Sequence, residues 1–118
     1  MTRLLVVIGG ALGVLGRHEV TTRVRRWGAT ASGATLLINA PGSLLLGLVA
    51  GWSTPAVPDW LLPLLGVGFC GGFTTFSSHA VQVAAALQER RLLQGVADLA
   101  ISLVLGVALA SLGWWLTT

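Results

Sequence analysis

Apolar and polar positions are segregated along this chain into four long apolar blocks with short polar breaks between them. Crossing the hydrocarbon core of a membrane takes about 20 residues of helix, and each block approaches or exceeds that length. Since backbone groups in lipid must be satisfied internally, four transmembrane helices are the simplest arrangement. We expect an all-α membrane protein whose residues 1–118 form a single four-helix transmembrane domain. The predicted spans are residues 4–23, 34–52, 60–87 and 93–116.

Composition supports this assignment. The chain is 54% hydrophobic and only 9% charged, whereas about a quarter of the residues in a soluble domain are charged. All seven basic residues are arginines; they are few and scattered, which argues against a nucleic-acid partner. The tryptophans fall near block ends, where an interfacial belt would place them. They are Trp27, Trp52, Trp60, Trp114 and Trp115.

A few polar or special residues interrupt the apolar blocks. Arg17 is expected to face protein or to extend towards the interface, in a structural role. Asn39 is the only amide in the second block, and it must face a helix, a cavity or a ligand because burying it alone costs about 1–3 kcal/mol. Pro41, two residues later, predicts a kink or a local opening of that helix. The single Cys70 is expected to be a small buried apolar residue.

Glycines recur at helical spacings in three of the blocks. Small residues on one face allow membrane helices to approach closely, so we expect these glycines to mark helix contacts. They are Gly9, Gly10, Gly13 and Gly16, then Gly47 and Gly51, and finally Gly106 and Gly113.

The third block contains the polar stretch "GFCGGFTTFSSH", residues 68–79. About eight apolar-block residues lie on either side of it, so the stretch falls near the midplane. Non-helical backbone at that depth is tolerated only where protein buries it or where it lines a cavity, and broken helices of transporters surround ions with free carbonyls. The stretch therefore predicts either an ion site or a glycine kink whose serines bond their own helix.

Three motifs, in order along the chain, resemble the Fluc/CrcB fluoride channel family: "GGALGVLGR" (9–17), "TLLINAPGSLLLG" (35–47) and "GFCGGFTTFSS" (68–78). With the fourth helix, the resemblance covers nearly the whole chain. It implies four helices with a broken third helix, assembled as an antiparallel, dual-topology dimer with two fluoride pathways. It further implies passive export of fluoride across the cell membrane and a structural sodium ion at the dimer centre.

The resemblance also implies residue roles. The sodium ligands would be the backbone carbonyls of Gly71 and Thr74. His79 stands where the family usually has a second phenylalanine, and it either donates to an anion or packs as a neutral residue. The predicted pore residues are Asn39, Phe76, Ser77, Ser78, His79 and Ser102. Two further departures are Gln82 at a common glutamate position and Asp98 at a frequent Tyr or Asn position.

Arginine placement predicts the orientation of the chain. In a four-span topology, five arginines lie on the side of the first and third loops, and Arg3 alone lies on the side of the termini. Such a bias fixes one orientation, with both termini outside. Because an antiparallel homodimer needs the sequence to insert both ways, we expect the partner to be an oppositely oriented homologue, with a second copy of this chain as the alternative. The five loop-side arginines are Arg23, Arg25, Arg26, Arg90 and Arg91.

Two alternative functions remain open at this point. One is an accessory, non-conducting subunit of such a pair. The other is a small multidrug-type transporter, which needs an intramembrane carboxylate, and Asp98 is the only candidate. An enzyme is not expected, because the sequence has no evident nucleophile–base pair or metal-ligand cluster.

Overall fold

In the computed structural model, residues 1–52 and 57–118 are described, and every regular element among them is helical. Helices α1, α2 and α5 are long and apolar enough to cross a membrane. The chain is therefore a multi-pass, all-α membrane protein, as the sequence predicts. The elements are α1 (Thr2–Arg26), α2 (Ala31–Gly51), a π-helix (Leu62–Cys70), α3 (Gly71–Phe73), α4 (Ser77–Gln88) and α5 (Leu92–Thr117).

Tight connections bring the arginine-rich helix ends to one side of the molecule. After α1, Gly28 adopts φ 89°, a left-handed conformation that glycine accepts without strain. The hydroxyl of Thr30 then accepts the N–H of Gly33 at 3.0 Å and caps the start of α2. Only residues 89–91 separate α4 from α5. The C-termini of α1 and α4 therefore lie beside the N-termini of α2 and α5.

The third span is broken, and its two halves differ in helix type. The first half is the π-helix followed by the single turn α3, and the second half is α4. Residues 74–76 between them belong to no helix, and Thr74 is extended with ψ 159°. The broken helix is confirmed, but the break lies later than "GGFTT" suggests, because Gly71–Phe73 remains helical. The π-helical first half was not expected from the sequence.

Helix α2 runs from Ala31 to Gly51 without interruption, so the local opening expected at Pro41 was wrong. Pro41 is exposed, and a kink at this position stays a prediction. Proline is tolerated inside membrane helices where small local adjustments satisfy the carbonyl that loses its donor.

The break changes which helices the third span contacts. Before it, the π-helix and α3 pack mainly against α1; after it, α4 packs mainly against α5. Helix α2 packs along α5 and also contacts the π-helix. The break consequently lies where α1, α2 and the two halves of the third span come together.

Glycines form two seams of direct backbone contact. A Cβ at Gly9 would overlap the Leu64 carbonyl oxygen, and one at Gly13 would overlap that of Phe69. Across the other seam, a Cβ at Gly47 would overlap the carbonyl oxygen of Ala110. The expectation that glycines mark helix contacts is confirmed at these positions. Cys70 is 1% exposed, which confirms its burial.

Candidate ion-binding site at the helix break

The side chain of Asn39 on α2 holds the break in place. Its Nδ2 donates to the carbonyl of Thr75 at 2.9 Å, and the Thr75 N–H donates to its Oδ1 at 2.8 Å. One side chain thus satisfies both backbone groups of a residue that has left the helix. From the sequence, Asn39 was expected to face a helix, a cavity or a ligand. Its partners are the backbone N–H and carbonyl of Thr75 at the break. One Nδ2 hydrogen of Asn39 remains for another acceptor.

The break releases backbone carbonyls from helical pairing. In a continuous α-helix the N–H of residue i+4 donates to the carbonyl of residue i. Here the Thr75 N–H goes to Asn39, and the Ser78 N–H goes to Thr75 Oγ1 at 3.3 Å. The carbonyls that lose these donors are those of Gly71 and Thr74, the two that the resemblance implies as sodium ligands. Within the part of the chain that the structure describes, the carbonyls of Gly72 and Phe73 between them also accept no i+4 backbone N–H.

Arg17 reaches the break from α1. It is half-buried, and its Nη1 donates to the Thr74 carbonyl at 3.4 Å. Of the two orientations open to Arg17, the structure has the inward one, facing protein. Because a carbonyl oxygen has two lone pairs, Thr74 still offers one after this contact.

Hydroxyl groups gather at the start of α4. Thr75 Oγ1 lies 3.1 Å from Ser77 Oγ and 3.2 Å from Ser78 Oγ. These groups stand at a helix N-terminus, where unpaired amides give a partial positive charge. Ser77 and Ser78 were predicted as pore residues. Thr75 was missed although it belongs to the same motif, and the signal that could have found it is its position immediately before the serines.

A groove of about 340 Å³ opens beside the break, between α2, α4 and α5; we call it the break groove. Phe76 stands at this groove with 66% of its surface exposed. Ser77 and Ser78 do not line this groove; Ser78 faces a second cavity beside Arg17. The polar residues that line the break groove are Asn39, Ser43, Thr74, Thr75, His79 and Ser102.

His79 and Ser102 meet inside the protein. The distance from His79 Nε2 to Ser102 Oγ is 2.8 Å, and the two residues are 4% and 6% exposed. Which of the two atoms donates depends on the tautomer of the imidazole. His79 is thus packed inside the protein and hydrogen-bonded to a protein hydroxyl. This bond joins α4 to α5, and no spacing in the sequence predicts it.

A second cavity, of about 250 Å³, lies on the arginine-rich side of the break. Arg17 and Gln82 line it. Gln82 Nε2 donates to Thr35 Oγ1 at 2.7 Å, while its Oε1 is buried without a hydrogen-bond partner. Polar groups therefore continue from the break towards the loop side of the molecule.

Comparison with known proteins identifies the family. The family model described as CrcB-like protein, Camphor Resistance (CrcB), matches residues 4–114. The chain belongs to the CrcB family. The motifs that carry the resemblance, the break and the break groove all fall inside the matched residues.

CrcB relatives align with this chain almost from end to end. Fluoride-specific ion channel FluC 2 of Rhodococcus jostii is 42% identical over 118 residues, which is the full length of both chains. Fluoride-specific ion channel FluC of Gloeobacter violaceus is 39% identical over 94% of this chain and 89% of its own. Fluoride-specific ion channel FluC 1 of Carboxydothermus hydrogenoformans is 38% identical over 96% of this chain and 90% of its own.

Proposed function

We propose that this chain forms a fluoride-selective channel, not an enzyme, which lets fluoride leave the cytoplasm passively across the cell membrane. The observation that carries this proposal is the break groove at mid-span of a CrcB-family protein. Fluoride is small and holds its water strongly, so several donors must replace that water together. Asn39, Ser43 and Phe76 line one groove. An amide N–H, a hydroxyl and an aromatic ring edge are groups that can make such contacts with an anion.

We infer that the functional unit is an antiparallel dimer. Phe76 and Ser77 are exposed at the break, and Gly71 has open space on its Cα face. Polar backbone at this depth must be covered by protein or line a cavity, and a single subunit leaves it open. A second subunit facing the break would cover it and would close the break groove into a pathway.

We propose an oppositely oriented homologue as the partner, with a second copy of this chain as the alternative. The last turn of α1 carries Arg23, Arg25 and Arg26, and Arg90 and Arg91 follow α4 on the same side. Five arginines against Arg3 favour a single orientation, whereas an antiparallel homodimer needs the sequence to insert both ways. The relatives with the numbered names FluC 1 and FluC 2 are consistent with organisms that hold two such chains.

We further propose a structural sodium ion at the break. The oxygens at the break suit a hard cation. The Gly71 and Thr74 carbonyls no longer accept an N–H from the residue four positions later, and carbonyls of unwound helices coordinate sodium in membrane proteins. Within residues 1–52 and 57–118, no group of three His, Cys, Asp or Glu competes for a metal. When bound, the ion would supply positive charge that binds two break segments together. The residues themselves only present oxygens towards it.

Reconstitution tests the channel. Purified chain is placed in liposomes loaded with fluoride, alone and with an oppositely oriented CrcB homologue, and efflux is followed with a fluoride electrode. We expect efflux of fluoride without efflux of chloride in at least one of these preparations. Absence of fluoride efflux in both would overturn the proposal.

Orientation is measured separately, with a reporter fused to the C-terminus of the chain expressed alone. We expect labelling on the outer face only. Labelling on both faces, together with fluoride efflux from the chain by itself, would replace the heterodimer with a homodimer.

An accessory, non-conducting subunit is the second candidate, and the buried His79–Ser102 bond favours it, because both side chains are occupied by each other. Efflux only in the mixed preparation, unaffected by changes in the break groove of this chain, would support it. The small multidrug-type alternative has no support from the family assignment.

A further inference from the structure

One face of α5 runs past two grooves in succession. Residues four apart lie on one helix face, so Gln94, Asp98, Ser102 and Gly106 follow one another along α5. Gln94 and Asp98 line a groove of about 380 Å³ near the loop that joins α4 to α5; we call it the loop groove. Ser102 and Gly106 line the break groove. The two grooves therefore follow the same stripe of one helix.

The His79–Ser102 bond lies at the end of the break groove that points along α4 and α5 towards the loop groove. On α5, Asp98 of the loop groove is one turn before Ser102. On α4, Gln82 of the loop groove is about one turn after His79. On both helices, the residues that line the loop groove are therefore about one turn away from the residues that line the break groove. The distance between His79 Nε2 and Ser102 Oγ at that level is 2.8 Å. The bond bridges α4 and α5 across that level.

We propose that the His79–Ser102 hydrogen bond is a latch that closes the passage between the loop groove and the break groove. His79 is then the residue that limits ion passage along this subunit, and an anion crosses when the imidazole turns away from Ser102. This proposal rests on the proposed channel function. It assigns Ser102 to holding His79, whereas a pore hydroxyl would instead bind the ion.

Apart from its packing inside the protein, no salt bridge within residues 1–52 and 57–118 holds His79 in place. Helix α4 carries no Asp, Glu, Lys or Arg, and neither does α2. Asp98 is the one such residue on α5, and it lines the loop groove. A hydrogen bond that no salt bridge reinforces contributes about 1 kcal/mol net, which corresponds to about a fivefold change in an equilibrium.

The decisive variant is Ser102→Ala, because the two roles of Ser102 predict opposite signs. If Ser102 holds the latch shut, its removal frees His79 and raises fluoride efflux about fivefold. If Ser102 is an ion-binding hydroxyl, the same variant lowers efflux, and that result overturns the proposal. Ser111→Ala on the exposed surface of α5 is the matched control and is expected to leave efflux unchanged.

His79→Ala provides a second variant in case Ser102→Ala is poorly folded. It deletes the closing side chain, so we expect efflux to rise at least as far as in Ser102→Ala. A fall in efflux would show that the imidazole assists the ion, against the proposal. Both variants are measured in the preparation in which the unmodified chain conducts best.

A readout that does not depend on flux separates failure of the latch from failure of the channel. Nitrogen NMR of histidine-labelled protein follows His79, with the exposed His18 as internal control. We expect added fluoride to shift the His79 Nε2 signal towards that of Ser102→Ala while His18 is unchanged. If no preparation conducts fluoride, the channel is overturned and the latch with it. If a preparation conducts fluoride while the His79 signal stays unshifted, the latch alone is overturned.

Discussion

The two halves of the third span are joined to the bundle by different means. The π-helix and α3 lie against α1, where Gly9 and Gly13 allow backbone to touch backbone. In the second half, α4 and the residues just before it are held by side-chain hydrogen bonds to α2 and α5, through Asn39, Gln82 and His79. Backbone contact leaves no room for adjustment, whereas side-chain bonds can exchange partners. The first half is therefore the fixed anchor, and the second half carries the candidate path.

The largest effect is expected from Gly13→Ala in the anchor. The added Cβ would overlap the Phe69 carbonyl and approach the Phe73 amide at 2.8 Å. The overlap can be relieved only if α1 moves away from the π-helix and α3. We therefore expect a loss of about 3 kcal/mol in the free energy of unfolding. Titration of detergent-solubilised protein with SDS, followed by circular dichroism, measures this loss.

Gly10→Ala is the matched control for the anchor. A Cβ at Gly10 meets nothing closer than 3.8 Å, which is ordinary van der Waals contact. We expect its free energy of unfolding to stay within about 0.5 kcal/mol of the unmodified chain. Equal losses for the two alanine variants would mean that backbone contact does not distinguish the anchor.

An intermediate effect is expected from Asn39→Ala, which acts where the two halves meet. It leaves the N–H and the carbonyl of Thr75 without their partner, at a cost of about 2 kcal/mol. Because the break then loses its fixed position, we also expect fluoride efflux to fall by at least about tenfold. The same SDS titration and the liposome assay report the two quantities.

Ser43→Ala is the stability control for Asn39, since Ser43 lies one turn further along α2 in the same groove. We expect its free energy of unfolding to change by less than about 0.5 kcal/mol. Unchanged stability and efflux in Asn39→Ala would contradict the role of Asn39 as the support of the break.

The smallest effect is expected from Gln82→Met in the second half. Gln82 donates to Thr35, but its Oε1 is buried and unpaired, and removing such an acceptor offsets the lost bond. Thr35 Oγ1 keeps its own bond to the Ala31 carbonyl at 3.0 Å. We expect a change below about 1 kcal/mol in the free energy of unfolding. A loss as large as that of Gly13→Ala would show that α4 is as rigidly fixed as the anchor.

Much of the fold could be predicted because lipid imposes it. Block lengths set by bilayer thickness predicted the three long apolar helices α1, α2 and α5. The midplane position of a glycine- and hydroxyl-rich stretch predicted the break in the third block. Glycine spacing gave the close contacts at Gly9, Gly13 and Gly47. These are local properties of the chain, so one sequence is enough to infer them.

The remainder depends on residues that are distant in sequence. Asn39 and Thr75 are 36 positions apart, and His79 and Ser102 are 23 apart, so no spacing rule pairs them. The π-helix at residues 62–70 contacts α1 and α2, and no local pattern in the sequence predicted its helix type. Pro41 removes one helical N–H, and the helix around it nevertheless continues, so of the two outcomes expected there the local opening is wrong.

The clamp on Thr75 also bears on how the protein enters the membrane. Helix α2 is synthesised before the third span. Asn39 therefore has no hydrogen-bond partner at the break until Thr75, about 36 residues later in the chain, has been synthesised. The third span, in turn, carries an unpaired backbone segment until Asn39 meets it. Helices that are stable in lipid one at a time can assemble after insertion. These two cannot be fully satisfied alone, so the second and third spans are expected to leave the translocon as a pair.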